Sequence, residues 1–333
     1  MTLYESMQNL VGETPLIHLR NMGFPGRVNV YAKLELWNPS GSVKDRTAEC
    51  MIRDACSKGL LMDGGTIVEA TAGNMGMGIA FNALNRGFRV VFVVPSKFSA
   101  EKLTLMRALG AEIVVTPHED GMLGAERRAE ELLEEIPGSV SLRQFRNASN
   151  PAAHFESTGP EIFRDLGGNV DYAVMGAGSG GTFTGIVGYL KGMDPHVEGV
   201  LADPVGSLIG GGEKHEYRIE GIGNDFIADT MDMSLVDRVI KVTDDEAVDE
   251  CRRLASHEGI FAGSSSGAAL AAVRKLSETV EGNIVTVLPD RGDRYFSEHL
   301  YERGWGAWGH RQGRRRRRGG GARLYNMTLW PRP

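Results

Sequence analysis

Short apolar runs alternating with longer amphipathic ones limit what this chain can fold into more than any other feature. Val28–Leu34, Thr66–Glu69, Arg89–Val94 and Glu112–Thr116 read as strands. Asp45–Lys58, a segment ending at Asn85, Glu101–Leu109 and Gly124–Glu135 read as helices between and after them. The rhythm restarts after Gln144–Pro151, with strands at Tyr172–Met175, Val197–Ala202 and Asn283–Leu288. Helices are expected at Pro160–Leu166, Thr182–Lys191, Asp245–Glu258 and Ser266–Leu276. Strand–helix alternation of this kind predicts an α/β fold of two doubly wound domains with parallel-rich sheets. The boundaries are set at residues 1–148 and 149–302, with a ligand site between them at the C-terminal ends of strands.

Residues 303–333 break the pattern. They hold nine arginines, five of them in the run Arg314–Arg318, and no acidic residue. No helical or strand period is visible, so the segment is read as a disordered Arg/Gly-rich tail. A basic arm for RNA or a membrane and an extension without function both remain open. Outside the tail, 28 of the 37 Lys and Arg face 43 Asp and Glu, a net charge near −15. A body that acidic is a poor general nucleic-acid binder. The three cysteines, Cys50, Cys56 and Cys251, form no CxxC pair, which argues for reduced thiols and no metal site. No run reaches the roughly 18 apolar residues of a membrane span, and Met1–Asn9 lacks the regions of a signal peptide. A cytoplasmic protein is expected.

Three glycine- and serine-rich loops carry the chemistry. Gly176-Ala177-Gly178-Ser179-Gly180-Gly181 leaves a strand, enters a helix and is followed by Thr182. Free N–H groups at such a turn cradle a phosphate. The loop also fits GxGxxG, with Asp203 where a ribose-binding acid would stand, so a nicotinamide dehydrogenase is a competing reading. Glu69-Ala70-Thr71-Ala72-Gly73-Asn74-Met75-Gly76 joins a strand to a helix in the same way and suits a carboxylate. Ala262–Gly267 supplies serines at a third helix start, where capping is the plainer reading. Lys44 decides between the alternatives. Partly desolvated beside a helix N-terminus, its amine would lose proton affinity and become a nucleophile. A nucleophilic lysine, a phosphate cradle and a carboxylate cradle together specify pyridoxal-phosphate chemistry on an amino acid; hydride transfer needs no such lysine.

The segments Asn38–Arg46, Glu69–Gly78, Gly176–Gly185, Gly221-Ile222-Gly223, Gly263–Ala269 and Leu288–Ser297 resemble, in order, the cysteine synthase and cystathionine β-synthase family. These are fold type II pyridoxal-phosphate enzymes of β-replacement. The resemblance runs from about Leu10 to Leu300. It implies that Lys44 forms the Schiff base and acts as general base at Cα. It places Asn74 at the cofactor's ring oxygen, Gly178, Ser179, Gly180, Gly181 and Thr182 at its phosphate, and Ser265 at its pyridine nitrogen. Thr71, Ala72, Gly73, Met75 and Gln144 would hold the substrate carboxylate, and Gly221 and Gly223 would belong to a mobile segment over the cleft. The implied reaction removes the activating group of O-acetyl-L-serine, or a similar O-activated serine, through an aminoacrylate. Sulfide or a thiol then adds at Cβ. Homocysteine, giving cystathionine, and a nitrogen nucleophile, giving a diaminopropionate-type product, are the alternative acceptors. Met75 stands where related cysteine synthases carry threonine, which suggests an altered preference. The resemblance further implies a homodimer and possible docking of serine acetyltransferase. A cofactor-binding protein without turnover is the non-enzymatic alternative.

Overall fold

Valine- and isoleucine-rich stretches flanked by glycine form the strands of two separate sheets in the computed structural model, which describes residues 3–71, 73–96 and 100–302. The first sheet has four strands, in the order β5-β4-β3-β6. They are β3 (Thr66–Ala70), β4 (Arg89–Pro95), β5 (Glu112–Thr116) and β6 (Ser139–Val140), all parallel. The helices belonging to this half are α1 (Lys44–Ser57), α2 (Asn74–Ala83), α3 (Ala100–Ala108) and α4 (Gly121–Glu135). Residues of β4 such as Val91, Phe92, Val93 and Val94 are almost wholly buried, as expected for a strand covered on both faces.

The second sheet has six strands in the order β1-β2-β10-β7-β8-β9. Its members are β1 (Leu16–His18), β2 (Val28–Lys33), β7 (Tyr172–Gly176), β8 (Glu198–Pro204), β9 (Arg238–Val242) and β10 (Gly282–Val287). Only the β1–β2 pair is antiparallel. Helices α7 (Gly181–Met193), α8 (Asp244–Glu258) and α9 (Ser264–Ser277) belong to this half. The first two strands precede residue 148 yet join the sheet of the second half, because β2 pairs along its whole length with β10.

Between the halves runs a composite helix. Helix α5 (Ser149–Ala153) continues through one π turn, His154–Thr158, into α6 (Gly159–Asp165). The sequence reading began this helix only at Pro160. The strands it did not anticipate, β1, β6 and β9, are respectively three residues, two residues and an edge strand, Arg238–Val242, of which only Val242 is buried. The described residues up to Tyr301 form one compact unit; the tail at 303–333 lies outside the described residues. Among the described residues no helix is long and apolar enough to cross a membrane.

Candidate active site

Helix α1 begins at Lys44 without a side-chain cap. The preceding loop is fixed against the chain that leaves β10. The Val43 N–H donates to Pro289 O at 2.8 Å, and Ser42 bridges Asp290. Gly41 permits this approach: it has φ +87°, and a Cβ there would lie 2.8 Å from Arg291 Cδ. Lys44 is half-buried, and among the described residues its amine makes no hydrogen bond or ion pair. Burial lowers its pKa from 10.5 to about 8, opposed by the charge of Asp290.

Asp290 is itself 1% exposed. Its Oδ2 accepts from Asn74 Nδ2 at 2.6 Å and from the Tyr295 hydroxyl, while Oδ1 is buried with no partner. Burial raises its pKa, against the hydrogen bonds from Tyr295 and Asn74. Asn74 Oδ1 in turn accepts from Arg294. Asp290 lies within the Leu288–Ser297 motif, but nothing along the chain signals that it faces Lys44.

Three more helices begin here with bare N-termini. Helix α2 starts after Gly73, α7 after Gly180 and α9 after Gly263; none has a side-chain cap and none has an acidic residue in its first turn. Their first N–H groups are therefore ready to hold anions. Around α7 the backbone is too close for side chains. A Cβ on Gly178 would sit 2.5 Å from Gly221 O, and one on Gly181 would sit 2.1 Å from Asn150 Oδ1. Gly180 takes φ +82°, the left-handed region open to glycine. Asn150 Nδ2 donates to Ser179 Oγ at 2.9 Å and to Gln144 O at 2.8 Å. The Gly221–Gly223 segment closes the circuit. Gly223 N–H donates to Ala177 O at 2.7 Å, Asn224 Nδ2 to Gly178 O at 2.9 Å, and Glu220 N–H to Ser264 Oγ at 2.9 Å. Ser265 is 4% exposed, and its hydroxyl has no hydrogen-bond partner among the described residues. Asn74 and Asp290 are thus linked through Gly263 and Ser264 of α9 and the 220–224 segment to the Gly178 backbone, and Lys44 and Ser265 stand beside this chain of contacts with no side-chain hydrogen bond of their own among the described residues.

Other residues anticipated from sequence occupy less direct places. Gln144 meets the ring through its carbonyl, by way of Asn150. Thr71 is buried, and its Cγ2 would lie 3.1 Å from a Cβ on Gly76. Met75 is 3% exposed and packs into the apolar cluster of α1, α2 and β4 with Met51, Ile79, Phe92 and Met106. Ala72 lies outside the described residues. Asp203 is fully buried, with Oδ2 taken by Lys241 Nζ at 2.5 Å and by Gly210 N–H at 3.0 Å. A carboxylate so engaged is not presented to a ribose, which removes the geometric basis of the nicotinamide reading.

The donor set fits pyridoxal phosphate. Glycines leave an uncapped helix N-terminus open to a dianion, and among the described residues the Lys44 amine and the buried Ser265 hydroxyl have no hydrogen-bond partner, which suits a carbonyl and a ring nitrogen. Among the described residues no His, Cys, Asp and Glu gather in a group able to hold a metal.

Comparison with known proteins agrees. The family profile described as pyridoxal-phosphate dependent enzyme matches residues 7–290. The O-acetylserine dependent cystathionine beta-synthase of Bacillus subtilis is 47% identical over 306 residues, 91% of this chain and 100% of the relative. A cysteine synthase of Helicobacter pylori is 41% identical over 90% of this chain and 100% of its own length. The crystal structure of the O-acetylserine dependent cystathionine beta-synthase from Helicobacter pylori superposes with a TM-score of 0.85 at 40% identity, covering 90% of this chain and 100% of that one.

Proposed function

The chain belongs to the pyridoxal-phosphate dependent enzymes, within the cysteine synthase family, and from that premise we propose that it replaces the β-substituent of O-acetyl-L-serine by sulfide or a thiol. The observation that carries this reading is the Lys44 amine, with no hydrogen-bond or ion-pair partner among the described residues and lowered to about 8, at the start of one of four helices whose N-termini have no side-chain cap. Bound pyridoxal phosphate supplies the electron-accepting ring that stabilises charge developing at the substrate Cα.

The chain's own residues do the rest. The first N–H groups of α7 and the Thr182 hydroxyl hold the phosphate, and α7 brings no acid to oppose it. Asn74 and Ser265 fix the two polar edges of the ring. N–H groups in the first turn of α2, with Thr71 and Gly73, bind the substrate carboxylate. Lys44, neutral over much of the range above about pH 8, takes the Cα proton at its Nζ and returns it after the acceptor has added at Cβ. Asp290 lies close enough to bias that proton's position, with Tyr295 and Asn74 fixing the carboxyl group. A homodimer able to dock serine acetyltransferase, in the cytoplasm, belongs to the same proposal.

The acceptor has two candidates. Sulfide is favoured by the cysteine synthase relatives, and the homocysteine thiol by the name of the Bacillus subtilis relative at 47% identity. The purified enzyme given O-acetylserine with equal sulfide or homocysteine, with products weighed by mass spectrometry, tests both. Cysteine as the faster product supports the first reading and cystathionine the second. Release of acetate with neither product, or no release at all, overturns the proposal.

A further inference from the structure

A fully buried histidine stands directly behind the phosphate loop. His154 occupies the π turn between α5 and α6 and is 0% exposed. Its Nε2 lies 3.2 Å from Thr182 Oγ1 at the start of α7 and 3.1 Å from Thr47 Oγ1, one turn beyond Lys44 on α1. Its Nδ1 lies 2.9 Å from Thr158 Oγ1. One ring therefore touches both the helix that would hold the phosphate and the helix that carries the lysine.

The sequence puts it there by close helix packing. On α7, a Cβ at Gly185 would lie 2.3 Å from Pro151 O and 2.6 Å from His154 Cβ, and one at Gly181 would collide with Asn150. Gly159 meets Tyr189 of α7 in the same way, at 2.7 Å. Three glycines thus let the two helices approach until a histidine ring fills the distance between them. The π turn, with its extra residue per turn, is a frequent mark of a functional position in a helix.

We infer that His154 is a positioning residue for the cofactor phosphate: its Nε2–H donates to Thr182 Oγ1, so that the Thr182 hydroxyl proton is left to point at a phosphate oxygen. The inference rests on the phosphate lying at α7. A neutral imidazole has one donor and one acceptor nitrogen. Burial, with the charges of Lys44 and Arg46, holds the pKa of His154 well below 6.5, so the ring is neutral. With the proton on Nε2, Nδ1 accepts from the Thr158 hydroxyl, and the one Nε2–H is shared between Thr182 Oγ1 and Thr47 Oγ1. With the proton on Nδ1, Nε2 would draw the Thr182 O–H towards itself and away from the ligand. All three partners are hydroxyls, able to donate or to accept, so the Nε2–H tautomer is part of the inference. The same Nε2–H also faces Thr47, which ties the first turns of α1 to the phosphate end of the site.

Cofactor affinity tests this apart from turnover. Holoenzyme is compared as parent, His154→Leu, His154→Gln, Thr182→Val and the Leu/Val double variant, by equilibrium dissociation of pyridoxal phosphate and by the 31P shift of the bound cofactor. We expect His154→Leu and Thr182→Val each to weaken binding about tenfold or more. The double variant should be little worse than either single one, because both act on the same hydrogen bond. His154→Gln, whose amide still offers a donor near the Nε2 position, should bind within about threefold of the parent, with an unchanged 31P shift. If His154→Leu does not fold, His154→Asn replaces it, since its shorter amide serves the Thr158 side and cannot reach Thr182. Independent, multiplying losses overturn the inference while leaving the phosphate at α7. A Thr182→Val variant that binds as tightly as the parent overturns that placement as well.

Discussion

Two cations stand two residues apart on α1 and live in opposite surroundings. Arg46 is 4% exposed and saturated. Its guanidinium meets Glu35 at 2.8 Å, Glu161 at 2.5 Å and Thr14 Oγ1 at 3.2 Å. Burial alone would lower its proton affinity, but Glu35 and Glu161 outweigh burial and raise it. Lys33, on β2, joins the same cluster, with Nζ 2.9 Å from Glu161 and 2.7 Å from Thr14 O. Lys44 has none of this: burial lowers its pKa to about 8, and only the charge of Asp290 resists. A buried charge with every partner present is costly to disturb, because removing one partner strands the other, whereas one without partners is available for chemistry.

The comparison is broken most strongly at Lys44. Lys44→Ala should lower turnover by about 10^4-fold or more, the upper range for a lost proton-transfer group, with little change in the unfolding midpoint of the cofactor-free protein. Glu161→Gln should do the reverse. Leaving Arg46 and Lys33 undercompensated should cost about 3–5 kcal/mol in denaturant unfolding, while turnover per folded molecule stays near that of the parent.

A pH series sharpens the contrast. In cofactor-free protein a lysine whose pKa is depressed binds fewer protons folded than unfolded between about pH 8 and 10.5. Its destabilising effect is complete below about pH 8 and relaxes as pH rises through that window. The parent should therefore gain up to about 3 kcal/mol on Lys44→Met from pH 8 to 10.5. Equal slopes for the two proteins would refute the unpartnered amine. Gly181→Ala, which drives a methyl into Asn150, should cost about 1–3 kcal/mol and loosen the cofactor. The smallest effect on the reaction is expected at Met75. Sequence comparison with threonine-bearing relatives suggested a change in acceptor preference. Its burial among Met51, Ile79 and Phe92 instead predicts that Met75→Thr loses about 2–5 kcal/mol of stability, with the sulfide-to-homocysteine ratio unchanged.

Most of the fold was legible because its signal is local. Strands such as β4 are continuous apolar runs, and glycine marks the loops before α2 and α7. Lys44, Asn74, Ser265 and the 178–182 loop were legible for a related reason: each sits beside a turn whose composition is itself unusual. The entry of β1 and β2 into the distant sheet was not, because β2 has the same apolar pattern in either sheet and only its partner β10, some 250 residues later, decides. Asp290 and His154 were silent for the same cause. Asp290 gains its meaning from facing Lys44, and His154 from two threonines on other helices. A histidine next to Phe155 and Glu156 in a helix reads as ordinary until the glycines of α7 draw it inward.

The central claim is that Lys44, unlike the other buried amines among the described residues, is chemically available. Reducing the purified holoenzyme with borohydride, digesting it and locating the pyridoxyl group by mass spectrometry tests this directly. The account predicts a single modified lysine, on the peptide that contains Lys44. A pyridoxyl group on Lys33 or Lys102, or stoichiometric cofactor with Lys44 unmodified, would contradict it.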